Sequence, residues 1–231
     1  MKILAIIPAR SGSKGIKNKN LKKIIGNKSL IEHAYDIADK SKIFNKIIIS
    51  TDSVLYKSYL KKKKIQIDFL RPKKLSKDYV TDLAVVKYEL NRYEKFYNTN
   101  FDYVCLLQPT SPLRKTSYLK KCLNLLIKKK LDAVWTVSEI NSKFHPSKIL
   151  KIKKNLLSYS DVKTGSKFIS RQLLDNCYIR NGVAYFISKK SIIKKNTILP
   201  PKTGYILIKD KVINIDNLNE LKKARKFLKK S

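Results

Sequence analysis

Long apolar runs and closely spaced cysteines are both missing from this sequence of 231 residues. No stretch reaches the roughly 18 consecutive apolar residues of a membrane-spanning helix, and no small-residue cleavage site follows the first residues. The three cysteines, Cys105, Cys122 and Cys177, lie far apart without a C-x-x-C pair. Neither a disulfide framework nor a zinc site is indicated, so we expect a cytoplasmic protein with no membrane insertion, whose cysteines fill the core.

Acidic side chains are also scarce. The sequence has 17 Asp and Glu residues against 52 Lys and Arg residues, which gives a formal net charge of +35. Such a charge would suit a polyanion such as nucleic acid. Only seven of the cations are arginine, however, and the lysines are spread along the whole chain. This distribution indicates a compositional bias, so we predict no specific nucleic-acid partner and expect weak association at low salt.

Strand-like and helix-like segments alternate along most of the chain. Apolar runs at 2–8 and 46–50 predict strands buried on both faces, and residues 29–40 have apolar side chains at helical spacing behind a capping serine. The pattern continues with helices at 53–63, 80–97 and 116–130 and strands at 65–70, 103–108 and 133–137. Such alternation is typical of right-handed βαβ units, and it predicts an α/β fold with a doubly wound, mostly parallel sheet in one domain over residues 1–231.

The alternation is lost at about 139–181, where hairpin-like pieces and a polar stretch form an insertion broken by Pro146 and Gly165. Later segments predict strands at 182–187 and 205–208 and an amphipathic helix at 218–228. An insertion of this kind commonly covers a site or forms a subunit contact, and the pattern alone leaves both alternatives open.

The loop after the first strand, residues 9–20, combines two glycines, two serines and several cations. In open α/β sheets this loop is a usual phosphate site, because ligands bind beyond the carboxyl ends of the strands. The glycines allow a turn with inward-facing amides, while Arg10, Lys14 and Lys19 can neutralise a polyphosphate. Neither G-x-G-x-x-G nor the P-loop pattern is present. The residues favour a triphosphate over one carboxylate, and a solvated turn without a ligand is the alternative.

Several motifs follow one another in a recognisable order. They are Pro8-Ala9-Arg10-Ser11-Gly12-Ser13-Lys14-Gly15 with Lys19-Asn20-Leu21, Ser50-Thr51-Asp52, Arg71-Pro72 with Leu75 and Asp78, Gln108-Pro109-Thr110-Ser111-Pro112-Leu113-Arg114, His145-Pro146 with Lys148, Arg171-Gln172, Asn181-Gly182 with Tyr185, and Ile215-Asp216. In these motifs the chain resembles the acylneuraminate cytidylyltransferases, the CMP-sialic acid synthetase family. The resemblance covers nearly the whole chain.

This resemblance implies a Rossmann-like nucleotidyltransferase that transfers CMP from CTP to the anomeric hydroxyl of a nonulosonic acid and releases pyrophosphate. Sialic, legionaminic and pseudaminic acids are the implied acceptors, Mg²⁺ is the implied cofactor, and a homodimer is implied, with the insertion reaching toward the partner's site. CMP-Kdo synthetase, a catalytically impaired relative and a basic nucleic-acid-binding protein stay as alternatives.

The resemblance also implies roles for individual residues. The nucleotide-binding residues are Ala9, Arg10, Ser11, Gly12, Ser13, Lys14, Gly15, Lys19, Asn20 and Arg71. The sugar-binding residues are Gln108, Lys148, Arg171, Asn181 and Tyr185. The catalytic residues are Arg10, Lys14 and Asp216, and the metal ligands are Asp216 and Asn214. Asn214 stands where relatives often show a second aspartate on the same face of a strand, and an amide brings no charge to a metal.

For some of these residues, and for two others in the sequence, a purely structural role is an alternative. Tyr185 is also expected as a core tyrosine, and Arg71 as a surface residue before a proline. His33 is expected to pack within a helix without a catalytic role, and Asp52 to cap the following helix or contact a ligand.

Overall fold

The structure, a computed structural model, describes residues 1–165 and 174–229. Its strands are β1 (Ile3–Pro8), β2 (Lys23–Ile25), β3 (Lys28–Ser29), β4 (Lys46–Ser50), β5 (Tyr103–Leu106), β6 (Ala133–Glu139), β7 (Leu150–Lys153), β8 (Leu156–Tyr159), β9 (Tyr178–Ser188) and β10 (Thr203–Leu207). Its α-helices are α1 (Leu30–Ser41), α2 (Val54–Lys62), α3 (Asp82–Tyr97), α4 (Thr116–Lys128), α5 (Val162–Gly165), α6 (Lys189–Ile193) and α7 (Leu218–Leu228).

The central sheet has the strand order β10-β6-β9-β5-β1-β4. Its neighbours are parallel except at β9, which runs antiparallel to both β5 and β6. Two separate hairpins, β2 with β3 and β7 with β8, lie outside this sheet. The predicted α/β fold with a mostly parallel sheet is therefore confirmed.

Helices cover both faces of the sheet. Successive side chains of β1 point to opposite faces, so they pack against different helices. Ile3, Ala5 and Ile7 lie in one buried cluster with side chains of α1, α2 and α4. Leu4 and Ile6 lie in another, with side chains of α3 and α6. A strand buried on both faces needs an unbroken apolar run, which is the pattern that the sequence has at this position.

A third apolar cluster fastens the first loop to the end of the described chain. It joins Ile16 of the loop to Ile24 of β2, to Ile213 and Ile215, and to Leu221 of α7. The helix begins with a capping box, in which Asn217 and Glu220 each accept a backbone N–H of the other. The loop after β1 is thus supported by residues about 200 positions further along.

One predicted strand is missing from the structure, whereas the hairpin expected in the insertion is present. Residues 65–70 form no strand, although Ile65 and Ile67 are buried, because the sheet ends at β4 and the segment packs without joining the ladder. The described part of the insertion contains the β7–β8 hairpin, α5 and two short 3₁₀ helices. Among the described residues, the helices are too short or too polar to span a bilayer. Cys105 and Cys122 are buried, as expected, whereas Cys177 is half-buried.

Candidate active site

A cleft of about 490 Å³ lies at the carboxyl ends of β1 and β5. Nine residues that the sequence analysis assigned to the site line this cleft: Arg10, Ser13, Lys14, Gly15, Lys19, Asn20, Arg71, Gln108 and Asp216. Further lining residues, which the sequence analysis gave no role in the site, include Lys77, Asp78, Asp82, Pro109 and Thr110. The fold therefore gathers side chains from both ends of the chain at the sheet edge where ligands bind in open α/β folds.

Asp52 fixes the first part of the loop. Its carboxylate accepts one hydrogen bond from the Ser11 backbone N–H and one from the Ser11 hydroxyl, both at 2.9 Å. Ser11 and Gly12 line a smaller neighbouring cavity of about 290 Å³, and Ala9 is fully buried. These three predicted nucleotide-binding residues thus lie outside the main cleft. Ser53, and not Asp52, caps α2.

Gly15 brings the loop against the segment that carries Asp216. A β-carbon at this glycine would lie 2.2 Å from the backbone carbonyl oxygen of Asp216, so no other residue fits without movement. Gly12 has open space around it. The two glycines therefore differ, since only Gly15 is required by close approach.

Cations outnumber carboxylates in the cleft. Those that line it are Arg10, Lys14, Lys19, Arg71 and Lys77, against Asp78, Asp82 and Asp216. The Asp78 carboxylate lies 2.7 Å from both the Arg10 guanidinium and the Lys14 ammonium, and Asp216 lies 2.9 Å from the Lys19 ammonium. Lys14, followed by Arg10, lowers the pKa of Asp78. The surplus of positive charge favours an anionic ligand in this cleft.

Arg71 and Asn20 form the inner wall of the cleft, and both are 4% exposed. The Arg71 Nε donates to the Ser76 hydroxyl at 3.1 Å, and the Asn20 Nδ2 donates to the Arg10 carbonyl at 3.3 Å. Burial lowers the pKa of Arg71, while the nearby carboxylates of Asp52 and Glu89 oppose that shift. The alternative of a surface arginine is wrong, and an inward guanidinium and amide can read a polar ligand.

A buried arginine, Arg114, holds the QPTSPLR segment in place. The sequence analysis gave this arginine no role of its own. Arg114 is 3% exposed and donates to the carbonyls of Val183, Gln108 and Gly182. Burial lowers the pKa of its guanidinium to about 10. These bonds join the turn after β5 to β9. The signal available in the sequence was the motif itself, which ends in this arginine.

Gly182 lets Gln108 lie at the cleft wall. Its φ is +73°, and a β-carbon there would lie 2.3 Å from the Ser111 hydroxyl and 2.6 Å from the Gln108 side-chain oxygen. The Tyr185 hydroxyl accepts a hydrogen bond from the Gly182 backbone N–H. Tyr185 is 1% exposed and packs against Trp135, with ring centroids 4.6 Å apart. Tyr185 is therefore a core tyrosine, as the alternative had it, which acts on the site through the backbone.

Asn181 and Asn214 line a second cavity of about 490 Å³ beside β6 and β10. The Asn214 oxygen accepts from the Ser111 hydroxyl at 2.7 Å, and the Asn181 oxygen accepts from the Thr136 hydroxyl at 2.7 Å. The expectation that Asn214 and Asp216 share one face of a strand is wrong, because residues 208–217 form no strand. They line different cavities, and a hydrogen bond already engages the Asn214 oxygen.

Asp216, the predicted metal ligand, presents an accessible carboxylate to the cleft. The Asp216 side chain is 79% exposed at the cleft, where Lys19 contacts one of its oxygens. Within residues 1–165 and 174–229, no group of three or more His, Cys, Asp or Glu side chains is arranged to hold a metal ion on its own. One carboxylate with substrate phosphates is a usual arrangement for Mg²⁺, so Asp216 fits this ion and Asn214 does not in this geometry.

Two predicted sugar ligands belong to the insertion. Lys148 lies in the 3₁₀ helix Pro146–Lys148, and the linings of the two large cavities do not include it. Arg171 lies outside the described residues. Their roles stay predictions.

Comparison with known proteins agrees with this geometry. The family profile described as "Cytidylyltransferase" matches residues 4–231. N-acylneuraminate cytidylyltransferase of Streptococcus agalactiae serotype V is 32% identical over 223 residues, which cover 95% of this chain and 52% of the relative. Pseudaminic acid cytidylyltransferase of Campylobacter jejuni subsp. jejuni serotype O:2 is 28% identical over 226 residues, which cover 97% of this chain and 95% of the relative.

Solved structures give the same fold. A CMP:2-keto-3-deoxy-manno-octonic acid synthetase complexed with CTP superimposes with a TM-score of 0.71 at 15% identity, over 100% of this chain and 99% of the other. At that identity the likeness supports the fold alone. The chain spans about half the length of the Streptococcus agalactiae and Escherichia coli relatives that it matches. With a profile that covers nearly every residue and a cleft built from the motifs that carried the resemblance, the chain belongs to the cytidylyltransferase family.

Proposed function

We propose that this protein transfers CMP from CTP to the anomeric hydroxyl of a nonulosonic acid and releases pyrophosphate. The observation that carries the proposal is the cleft itself, where Arg10, Lys14 and Lys19 stand in front of the buried Arg71 and Asn20. The names of the relatives, N-acylneuraminate and pseudaminic acid cytidylyltransferases, support the class of acceptor. Sialic, legionaminic and pseudaminic acids are the acceptors to test.

The chain's own residues divide the work of such a reaction. Arg10 and Lys14 neutralise the triphosphate, which lowers the cost of attack at the α-phosphate by an uncharged hydroxyl. Arg71 and Asn20 bind the cytosine and ribose, since a guanidinium presents several donors in a fixed plane. Gln108, held at the wall by Gly182, hydrogen-bonds hydroxyls of the acceptor. The groups are fixed before substrate arrives, which is how electrostatic stabilisation is most effective.

Asp216, together with phosphate oxygens of the nucleotide, would hold Mg²⁺. When bound, the ion supplies further neutralisation of charge on the phosphates. Asn214 instead holds the Ser111 hydroxyl next to Gly182. Lys148 and Arg171 are proposed to pair with the acceptor's carboxylate, as the resemblance implies.

The β7–β8 hairpin supports a homodimer. Leu150 pairs with Tyr159 and Ile152 with Leu157, so one face of the hairpin is apolar, and all four side chains are exposed. An exposed apolar face on a hairpin outside the central sheet favours burial against a partner surface, and we propose that a second copy of the chain supplies it. Sedimentation should give a dimer for the wild type and a monomer for Ile152→Lys, with Lys151→Glu on the opposite face as control. A monomeric wild type would remove this part of the proposal.

Free cysteines and the proposed use of CTP are compatible with a reducing, cytoplasmic location.

The test of the proposal is pyrophosphate release. CTP, Mg²⁺ and one acid at a time, from a panel of sialic, legionaminic, pseudaminic acids and Kdo, should give CMP-sugar and pyrophosphate with at least one nonulosonic acid. Turnover with Kdo alone would favour the alternative enzyme, and no turnover with any acid would refute the proposal. RNA binding that survives moderate salt, without turnover, would favour a nucleic-acid-binding protein.

The metal assignment has its own variant within the same assay. Asp216→Asn should lose most turnover and its dependence on Mg²⁺ concentration. Asp39→Asn, at the exposed end of α1, removes a carboxylate paired with Lys42 and serves as the control. Unchanged turnover and Mg²⁺ dependence in Asp216→Asn would mean that another group holds the ion.

A further inference from the structure

Asp78 occupies the position of an anion between two cations of the cleft. One carboxylate oxygen lies 2.7 Å from Arg10 Nη2, and the other lies 2.7 Å from Lys14 Nζ. The three side chains are 37%, 84% and 47% exposed for Arg10, Lys14 and Asp78, so solute anions can reach them. A carboxylate that spans a guanidinium and an ammonium makes the charge-assisted contacts that one phosphate group would make.

The segment that carries Asp78 is fastened at its ends and held in its middle by the cleft. We call residues 72–80 the strap. Before it, the Arg71 backbone N–H donates to the Thr51 carbonyl at 2.7 Å, and after it α3 begins at Asp82. Within it, Ser76 accepts from Arg10 at 3.5 Å and from Arg71 at 3.1 Å. The side chains that hold the strap are therefore those proposed to bind the nucleotide.

We propose that Asp78 is an internal competitor for phosphate groups at Arg10 and Lys14. It neutralises the two cations when the cleft is empty, leaves them when the triphosphate binds, and returns as pyrophosphate departs. The inference rests on the proposed function, because it takes the ligand of these cations to be a polyphosphate. No bond is made or broken; one anion replaces another.

The exposure of the ion pairs makes this exchange feasible. Exposed pairs contribute little free energy, so a ligand with several negative charges displaces a single carboxylate at low cost. A ligand with one phosphate gains fewer contacts for the same displacement, and Asp78 thereby favours polyphosphates. Since the carboxylate stays tethered beside the cations, it also competes with pyrophosphate at a high effective concentration.

Asp78 could instead serve to orient Arg10 and Lys14, and the two roles differ in sign. If Asp78 competes, removing its charge strengthens anion binding. If it orients the cations, removing its charge weakens anion binding. The conservative variant Asp78→Asn keeps the size of the side chain and separates these alternatives.

The experiment measures pyrophosphate binding to the full chain by isothermal titration calorimetry, without nucleotide or acid. Asp78→Asn should bind pyrophosphate about three- to tenfold more tightly than the wild type. Asp82→Asn removes another carboxylate that lines the cleft, 3.2 Å from Arg180, and so controls for the general change in charge. Binding that is unchanged or weaker in Asp78→Asn, or equally tightened in both variants, would overturn the inference.

Turnover separates this inference from the proposed function. In the pyrophosphate-release assay, Asp78→Asn should be inhibited by added pyrophosphate at about three- to tenfold lower concentration. If Asp78→Asn binds pyrophosphate more tightly but neither the wild type nor the variant turns over, the proposed transferase function is refuted, and Asp78 remains a competitor at an anion site. Turnover with equal pyrophosphate inhibition in wild type and Asp78→Asn would keep the transferase and refute the competitor.

Discussion

Replacing Arg114 by methionine tests whether its buried guanidinium holds the cleft wall together. The side chain donates to the carbonyls of Val183, Gln108 and Gly182, and each carbonyl left without a donor costs about 1–3 kcal/mol. The Gln108 and Gly182 carbonyls each keep one backbone donor, and methionine removes a buried charge, so the loss is placed at the lower end. We expect Arg114→Met to lower the free energy of unfolding by about 2–4 kcal/mol, a large part of the ~5–15 kcal/mol typical of a domain.

Urea unfolding followed by tryptophan fluorescence is a suitable assay, because the sequence has a single tryptophan. Trp135 is 8% exposed on β6 and packs against Tyr185, so its emission reports on the sheet beside the site. The control is Arg180→Met, in which an exposed arginine loses one ion pair with Asp82, worth less than about 1 kcal/mol. Equal losses of free energy in the two variants would refute the reasoning, since they would mean that burial and the three carbonyls contribute nothing.

Three further variants probe the turn at Gly182, the loop after β1 and the half-buried His33. Gly182→Ala should destabilise the protein by about 1–3 kcal/mol and raise the KM for the acceptor, because φ is +73° and two facing side chains occupy the space; an unchanged melting temperature would contradict this. Asp52→Ala should raise the KM for CTP about three- to tenfold with little change in melting temperature, because Ser11 loses both hydrogen bonds; an unchanged KM would show that the loop holds itself. Burial lowers the pKa of His33, whose Nε2–H donates to the Pro112 carbonyl at 2.8 Å. The unfolded chain then takes up the proton first as pH falls below about 6.5, so stability falls with pH by at most about 1.4 kcal/mol per unit. Urea unfolding at pH 7 and pH 5 should show that the free energy of unfolding falls less in His33→Gln than in the wild type. Equal losses in the two proteins would exclude His33 as the cause.

The elements that the sequence predicted well are those defined by local pattern. The unbroken apolar run of β1 and the amphipathic spacing of α7 each fix an element without reference to the rest of the chain. The segment at 65–70 failed because apolar side chains indicate burial and do not say whether a neighbouring strand is available for pairing. The antiparallel course of β9 between β5 and β6 was likewise hidden, since strand pairing is non-local.

The residues of the candidate site likewise fall into those that a local sequence pattern predicts and those that only the folded structure reveals. Arg10, Lys14 and Lys19 could be predicted as anion-binding residues from the sequence of one loop, because cations beside glycines are typical of phosphate sites. The importance of Arg114 could not be read so directly, because its carbonyl partners in β9 lie 68 and 69 positions away. Asp78 was part of a recognised motif, but only the structure shows that it bridges two cations of another loop.

The apolar cluster around Ile16 has a consequence for the order of events during synthesis. Ile16 leaves the ribosome early, but Ile213, Ile215 and Leu221, which pack against it, are synthesised about 200 residues later. A chain that stops before residue 213 retains the strands of the central sheet and lacks this packing under its anion loop. We therefore expect the loop after β1 to gain its full packing support only after residues 213–221 have been synthesised.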